Sequence, residues 1–284
     1  MIRYPGLKWW PLFALAPLAW AAHAQSDQDA RAIVRKVVDN EIRFEAADHS
    51  RWMYKDSYKS PTTNTVKLVI QCPEANLSQL IEIDGHAPSA QDRQNNLNHV
   101  QQLISDAGLR AKQRRAEAHD GQQADELMKL LPNAFIWHIV NRNEGTITLA
   151  YRPDPNFSPP SMSARVLAAM SGTLTVVERE MRLKTLNGKL MKSVEFGWGL
   201  LGHIDAGGTF QIMRDEVGPG IWQITQTHVH ISGHALFFKT IGDQEDETTS
   251  DWKPVPQDVD MKKAAQMIRS GELAREMGVK LESR

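Results

Sequence analysis

The stretch FIWHIVNRNEGTITLAY, residues 135–151, decides the fold class of this chain. Apolar and polar residues alternate on both sides of Asn143-Glu144-Gly145, and a short glycine-containing turn between two such runs is typical of a β-hairpin. The same pattern continues to about residue 241, with expected turns at Asn187-Gly188, Gly207-Gly208, Pro219-Gly220 and Gly233. This succession predicts an up-and-down antiparallel sheet that curls toward a barrel.

Helices are expected at the beginning, in the middle and at the end of this strand pattern. Apolar residues recur at three-and-four spacing in residues 26–42 and again in residues 260–268. A polar stretch over residues 89–118 carries one apolar stripe and is predicted as a single helix, followed by a second helical segment that stops at Pro132. Residues 89–131 therefore read as a helical insertion between two groups of strands.

The acidic run over residues 243–251 is interpreted as a solvated loop, because many like charges in one segment usually face water. The basic run Arg110, Lys112, Arg114 and Arg115 is open to two interpretations. It would suit contact with anionic headgroups, but a solvated helix face is favoured.

Residues 1–24 differ in composition from the rest of the chain, since they hold three of the eight tryptophans. Arg3 and Lys8 precede an apolar run that ends at Ala22-His23-Ala24, the small-x-small pattern of a signal peptidase site. We expect a signal peptide cleaved after Ala24, export to the periplasm, and a single domain over residues 25–284. Cleavage removes two of the 33 basic side chains and none of the 34 acidic ones, so the electrostatics do not suit a nucleic-acid binder.

The known catalytic and cofactor-binding motifs do not identify a function for this chain. Residues 197–202, GWGLLG, match the dinucleotide pattern G-x-G-x-x-G, but a strand rather than a helix is expected to follow them, so a tight loop is the better interpretation. Cys72 is the only cysteine and is expected to be a small buried thiol. The sequence contains no nucleophile elbow, no H-E-x-x-H helix and no P-loop.

His228 and His230 alternate within a predicted strand and therefore point to one face of the sheet. With His234 or His203 they are weak candidates for a divalent metal site. No carboxylate at fixed spacing and no cysteine cluster supports such a site, so neither a metal nor another cofactor is expected.

Large aromatic side chains are the remaining feature of the strands. A curved sheet either fills its concave face with them or leaves a cavity for an apolar ligand. The candidates for lining such a cavity are Trp137, Trp198, Phe210, Trp222 and Phe237.

Several segments resemble a family of uncharacterised secreted bacterial proteins in the outer-membrane lipoprotein-sorting-like (LolA/LolB-like) superfamily. They are DPNFSPPS (154–161), MSGTL (170–174), VEFGWGLLG (194–202) and ISGHALFFK (231–239). The resemblance covers roughly residues 132–255. It implies an α+β, mainly antiparallel fold, an incomplete, half-open β-barrel of about eleven strands with helices covering its concave face. No functional residue of the lipoprotein carriers is carried over by it.

Three functions follow as hypotheses. The first is a monomeric, non-enzymatic periplasmic carrier that binds a lipid acyl chain or a lipidated protein and touches the membrane transiently. The second is an envelope hydrolase or metal-dependent enzyme using His228, His230 or His203 with Asp205 or Asp215. The third is a structural envelope module whose barrel is completely filled and contacts only other proteins.

Overall fold

The computed structural model describes residues 18–196, 202–235 and 244–280. Trp198 and Phe237 lie outside the described residues, as do most of the GWGLLG motif and residues 1–17 of the predicted signal peptide. In the described part of the chain there are thirteen strands and six helices. None of these helices combines the length and the apolar character needed to cross a membrane.

In chain order the elements are α1 (Leu18–Ala47), β1 (Trp52–Ser60), β2 (Thr63–Ile70), β3 (Leu77–Ile83), α2 (Ala90–Ser105), α3 (Ala107–Ala134), β4 (Phe135–Asn143), β5 (Thr146–Pro153), α4 (Met162–Leu167), β6 (Met170–Val177), β7 (Arg182–Leu190), β8 (Val194–Phe196), β9 (Gly202–Ile204), β10 (Thr209–Gly218), β11 (Ile221–His230), β12 (Gly233–Ala235), β13 (Gln244–Pro254), α5 (Met261–Ser270) and α6 (Glu272–Glu276).

Ten strands form one large antiparallel sheet in the order β3-β2-β1-β13-β11-β10-β7-β6-β5-β4. The late strand β13 inserts between β1 and β11, so the two ends of the fold meet in the middle of the sheet. Strands β12, β9 and β8 form a separate small sheet. The α+β class with a mainly antiparallel sheet is therefore confirmed. Because β3 and β4 are open edges in the described residues, the sheet is not closed and the expected barrel is not confirmed.

The hairpin expected at residues 135–151 is confirmed as β4 and β5. Glu144 and Gly145 have φ angles of 47° and 77°, which are the left-handed values that a tight two-residue hairpin turn requires. The helix expected near residues 260–268 is also confirmed as α5. It begins at the cap Asp260 and ends at Gly271, whose φ of 69° is a left-handed C-cap.

The first hydrophobic core lies between α1, the end of α3 and strands β4 to β7. Ala30, Val34, Val37 and Val38 form the buried stripe of α1 that the sequence predicts. They pack on inward-facing residues such as Leu149 and Leu174. Burial of a few such large apolar side chains contributes about 1.5–3 kcal/mol each, which fixes α1 on this half of the sheet.

The second core lies on the opposite face of the sheet, under α2, α5 and α6. Leu68 and Ile70 of β2 belong to it and pair across the ladder with Lys55 and Met53. By strand alternation these residues lie on the face opposite to Tyr54 and the first core. Helices therefore cover different faces at the two ends of the sheet, which corrects the expectation that they all cover one concave face.

Sheet twist gives a physical reason for this arrangement. Adjacent strands rotate by about 20–25° relative to each other, so ten strands accumulate roughly half a turn, and opposite faces at the two ends come to point the same way. The helix α3 accordingly reaches both cores, with Leu109 packed on the second and Leu131 in the first.

Helices do lie between β3 and β4, but the break between them is not where the sequence predicted it. The single helix expected over residues 89–118 ends at Ser105, and α3 then runs without interruption from Ala107 past Pro132 to Ala134. The side chain of Asp106 accepts hydrogen bonds from the backbone N–H groups of Gly108 and Leu109 and so starts a new helix.

The turn expected at Asn187-Gly188 is wrong, because β7 continues straight through both residues. A Cβ atom on Gly188 would lie 2.1 Å from Cε1 of Phe210 and 2.7 Å from the Tyr151 hydroxyl. Gly188 is therefore the place where two large rings approach the sheet backbone closely, a use of glycine inside a strand that is easily mistaken for a turn.

The acidic loop expected over residues 243–251 is also wrong, because Gln244–Pro254 form the strand β13. Alternation along the strand sends neighbouring carboxylates to opposite faces, which separates the like charges. Glu245 accepts a hydrogen bond from Tyr58 on one face, whereas Asp246 contacts His228 and His230 on the other.

Candidate functional site

Three concave regions of the described structure hold the candidate functional residues. The first, named here the helix–sheet cavity, lies between β2, β3, α2 and α5 and has a volume of about 680 Å³. The second, the aromatic groove, lies between the C-terminal end of α1 and strands β1, β11 and β13 and measures about 760 Å³. The third, the histidine patch, is a shallower region of about 500 Å³ on the opposite face of β10 and β11.

The helix–sheet cavity has an apolar interior because β2 and β3 present branched aliphatic residues to the helices. Its floor includes Val66, Leu68 and Ile81, and Leu97 of α2 and Ile268 of α5 face them. Leu68 is fully buried and Ile268 is 3% exposed, so these two side chains belong to the second core directly beneath the cavity, and the partly exposed Val66, Ile81 and Leu97 form its accessible apolar floor. A volume within about 300–1,000 Å³ is typical of sites for small organic ligands.

Four cationic side chains surround this apolar interior, namely Lys55, Arg93, Arg269 and Lys280. Glu82 is the only acidic residue among those lining the cavity in the described residues. In the same part of the chain none of the four cations forms an ion pair. The mouth of the cavity is consequently positive.

A buried polar atom also faces the cavity. Gln79 is 9% exposed, and its side-chain oxygen has no hydrogen-bond partner within the described structure. The neighbouring Asn96 differs, because its side chain pairs with the β3 backbone by accepting from Leu80 N and donating to Ser78 O. Buried polar groups in native proteins are nearly always paired, so Gln79 has unused capacity for a ligand or a water molecule.

The aromatic groove is built on a buried ionic triad. Both oxygens of Glu41 on α1 accept hydrogen bonds from Arg182, at 3.0 Å each, and Arg214 lies 2.9 Å from Glu41 Oε2. The Leu183 backbone N–H also donates to Glu41, at 2.7 Å. Since Glu41 is fully buried and Arg182 is only 4% exposed at the side chain, this triad ties α1 to β7 and β10.

Aromatic rings form the walls of the groove. Tyr54 stacks on Trp252 with ring centroids 4.2 Å apart. At the other end the Arg182 guanidinium lies over Phe44, at 4.5 Å, and near Trp222, at 5.9 Å. Burial raises the pKa of Tyr54 to about 12, so its hydroxyl stays protonated in the physiological range.

In the histidine patch, Asp246 connects the two strand histidines. Its Oδ1 lies 2.7 Å from His228 Nδ1 and 3.3 Å from His230 Nε2. The hydrogen bond to His228 holds the pKa of Asp246 below its ordinary value. The sequence places the two histidines on one face correctly but does not show Asp246 as their partner, because β13 pairs with β11 only in the folded sheet.

The other proposed partners lie elsewhere. Asp205 is 3.5 Å from His203 in the small sheet, and Asp215 accepts a hydrogen bond from Thr225 at 2.6 Å. Among the described residues there is no group of three or more His, Cys, Asp or Glu side chains arranged to hold a metal ion. Of the pairs proposed from the sequence, the structure therefore brings together His203 and Asp205, whereas His228 and His230 contact Asp246 instead.

The three candidate cavity residues that the structure describes do not line one cavity. Trp137 is 1% exposed, and its indole N–H donates to Leu131 O within the first core. Trp222 lines the aromatic groove, and Phe210 packs against the first core. The helix–sheet cavity is instead lined by aliphatic residues of β2 and β3, which the sequence offered no reason to select.

Two further sequence features have structural roles. Arg110 pairs with Glu74 at 2.7 Å, and Arg114 donates to the Glu74 carbonyl, so these members of the basic run hold α3 to the loop after β2. Cys72 is 8% exposed, and burial raises the pKa of its thiol to about 11.

Comparisons of the chain with models of protein families, with curated proteins and with solved structures find no match.

Proposed function

We propose that this chain is an exported, non-enzymatic carrier that binds an anionic amphiphile, such as a fatty acid or the acyl chain of a lipidated partner, in the helix–sheet cavity. The observation that carries this function is a cavity of about 680 Å³ with an aliphatic floor and a mouth lined by four cations that form no ion pair among the described residues. The apolar chain would occupy the interior, and the anionic head would lie among Lys55, Arg93, Arg269 and Lys280.

Chain burial supplies enough free energy for such binding. Each methylene group removed from water contributes about 0.8 kcal/mol. The cationic mouth adds selectivity for the head group, because charge complementarity discriminates between ligands more than it adds affinity. The proposal includes a half-open barrel of the lipoprotein-sorting-like superfamily as the fold. It also includes a carrier that acts as a monomer and contacts a membrane surface briefly.

The direct test is titration of the mature protein with a fluorescent long-chain fatty acid, together with native mass spectrometry and organic extraction of the purified protein. Because of the methylene contribution, a sixteen-carbon acid should bind more tightly than a twelve-carbon acid by roughly 3 kcal/mol. Ile81→Trp should weaken binding by filling the half-buried side of the cavity. A protein that is purified without lipid and also fails to bind the probe would contradict the carrier function.

Charge reversal at the cavity mouth separates specific binding from adsorption. The double variant Arg93→Glu, Arg269→Glu should weaken binding of the fatty acid but not of the uncharged alcohol of the same length. Glu178→Lys is a matched control, because Glu178 is an exposed residue that pairs with Arg142 away from the cavity. Equal losses for the acid and the alcohol would show that the cations do not recognise the head group.

Export is tested separately. Expression with residues 1–24 intact should yield a periplasmic protein whose mass corresponds to a chain beginning at Gln25. Substitution of Ala24 by Leu should leave the precursor unprocessed, because signal peptidase requires a small residue before the cleaved bond. A mature protein that keeps residues 1–24 would overturn this part of the proposal.

An enzyme remains the second candidate function, favoured by the hydrogen bond between His228 and Asp246. An imidazole oriented by a carboxylate can act as a general base. The variant His228→Ala, His230→Ala distinguishes the two functions. A carrier should retain its fatty-acid affinity in this variant, whereas a hydrolase would lose turnover of an ester substrate.

A further inference from the structure

Three buried polar atoms at the aromatic groove have no hydrogen-bond partner within the described residues. Arg214 Nε and Trp252 Nε1 are donors on residues that line the groove. Asp56 Oδ1 is an acceptor beside the groove, because Asp56 pairs across the ladder with Thr249, which is a lining residue on the same face. Because buried polar groups are rarely left unpaired, their concentration here indicates a bound molecule that supplies the missing partners.

The missing partners restrict the chemistry of that molecule. Arg and Trp nitrogens only donate hydrogen bonds, whereas an ionised Asp oxygen only accepts them. A ligand that satisfies all three must therefore carry both acceptors and donors at short spacing. Hydroxyl groups do both with the same atom.

The walls of the groove indicate the shape of the ligand. Tyr54 and Trp252 stack on each other, and Phe44 and Trp222 flank the Arg182 guanidinium. Thr227 and Thr249 add hydroxyl groups on the same face of the sheet. A pyranose ring suits such a site, because its faces present C–H groups to aromatic rings while its edge presents hydroxyls to polar side chains.

The charges of the groove favour a neutral ligand over an anionic one. Glu41 neutralises only one of Arg182 and Arg214, but Glu45, Asp48 and Glu247 also line the groove, so the acidic side chains outnumber the basic ones. Burial raises the pKa of Glu45 and of Glu247, so these carboxylates are already held at a desolvation cost. A phosphate or carboxylate would add to this excess of negative charge.

We propose that the aromatic groove is a binding site for a neutral saccharide, with sugar rings stacked on the aromatic walls and hydroxyls bonded to Arg214 Nε, Trp252 Nε1 and Asp56 Oδ1. The groove and the helix–sheet cavity lie on opposite faces of the sheet, so this site is independent of the proposed carrier function.

The site is tested by isothermal titration calorimetry with three neutral tetrasaccharides, cellotetraose, maltotetraose and chitotetraose, and with inorganic phosphate as the anionic probe. At least one tetrasaccharide should bind saturably and change the tryptophan fluorescence, and phosphate should not. No binding of any of the three, or binding of phosphate in their place, would overturn the proposal.

Two variants test the named atoms. Trp252→Phe keeps the aromatic surface but removes the indole N–H, so the affinity for the saccharide should fall about tenfold, the size of one hydrogen bond. Its urea unfolding midpoint should fall only modestly, because the variant gives up part of the ring contact with Tyr54 and Trp52 but no hydrogen bond of the unliganded protein. If Trp252→Phe folds poorly, Asp56→Asn provides the same test at the acceptor atom, and the affinity for the saccharide should fall in that variant too. Unchanged affinity in both variants would overturn the site, and Glu178→Gln, at the exposed pair with Arg142, is the control that should bind normally.

Discussion

Tyr54 and Lys55 are consecutive residues of β1, yet their side chains lie on opposite faces of the sheet and in two different cavities. Tyr54 stacks on Trp252 in the aromatic groove, whereas Lys55 lines the helix–sheet cavity. Successive strand residues point to opposite faces, so one strand serves two sites without any contact between their ligands.

The first prediction follows from this separation. Tyr54→Ala should weaken tetrasaccharide binding at least tenfold and leave fatty-acid binding unchanged, because it removes one stacking ring from the groove only. Lys55→Ala should do the reverse, since it removes one of the four cations at the cavity mouth. Calorimetric titration of both variants with both ligands checks this, and a variant that impairs both sites would show that they are coupled through β1.

The second prediction concerns Gly188, which the structure places inside β7 rather than in a turn. Gly188→Ala should destabilise the protein by about 1–3 kcal/mol, because the new Cβ would overlap Phe210 and the Tyr151 hydroxyl. Chemical denaturation in urea measures the change in the free energy of unfolding.

Gly121→Ala is the matched control for Gly188→Ala. Gly121 lies within α3 with no atom near its potential Cβ, so alanine should stabilise the helix by about 0.5–1 kcal/mol. If Gly188→Ala were as harmless as Gly121→Ala, residues 187–188 would have to form the flexible turn that the sequence suggested.

The third prediction concerns the buried triad. Glu41→Gln should cost about 3–5 kcal/mol of stability, because Arg182 and Arg214 would be left buried with no compensating negative charge. Thermal unfolding followed by circular dichroism measures this loss. Glu178→Gln, at the exposed pair with Arg142, should cost no more than about 1 kcal/mol, and similar losses in the two variants would argue against a special role of the triad.

The fourth prediction concerns the pH dependence of Cys72. Burial raises its thiol pKa from the ordinary value of 9.0 to about 11, so the native protein holds this proton where the unfolded chain releases it. Stability from this group is therefore present below pH 9.0 and is lost as the pH rises toward about 11. At pH 8 a disulfide reagent should modify Cys72 slowly in the native protein and quickly in urea, and equal rates would show that the thiol is exposed.

The fifth prediction concerns Trp137 and Trp222, which the sequence analysis proposed for the same role but which have different surroundings in the structure. Trp137→Ala should cost about 3–5 kcal/mol of stability because Trp137 is fully enclosed by the first core. Trp222→Ala should destabilise the protein less and should weaken saccharide binding, since Trp222 lines the groove. Urea denaturation and calorimetry check both effects, and a milder loss of stability for Trp137→Ala than for Trp222→Ala would contradict the structure.

Local patterns predicted most of the secondary structure because their causes are local. The alternation around Glu144-Gly145 and the three-and-four stripe of α1 each depend on neighbouring residues only. The errors arose where residues distant in sequence determine the local structure. Gly188 lies inside a strand because the rings of Phe210 and Tyr151 approach its backbone closely. The acidic residues of β13 form a strand because β1 and β11 pair with its two edges.

The sequence by itself determined the antiparallel class, the β4–β5 hairpin, the presence of helices between two groups of strands and the shared face of His228 and His230, since periodicity and turn chemistry are properties of the chain. Only the tertiary structure decided which side chains fill a core and which line a cavity. Trp137 and Trp222 carry the same indole, and packing against Leu131 in one case and against Arg182 in the other gives them different roles. Because cavities lie between elements far apart in sequence, their position depends on how those elements pack and not on any local pattern.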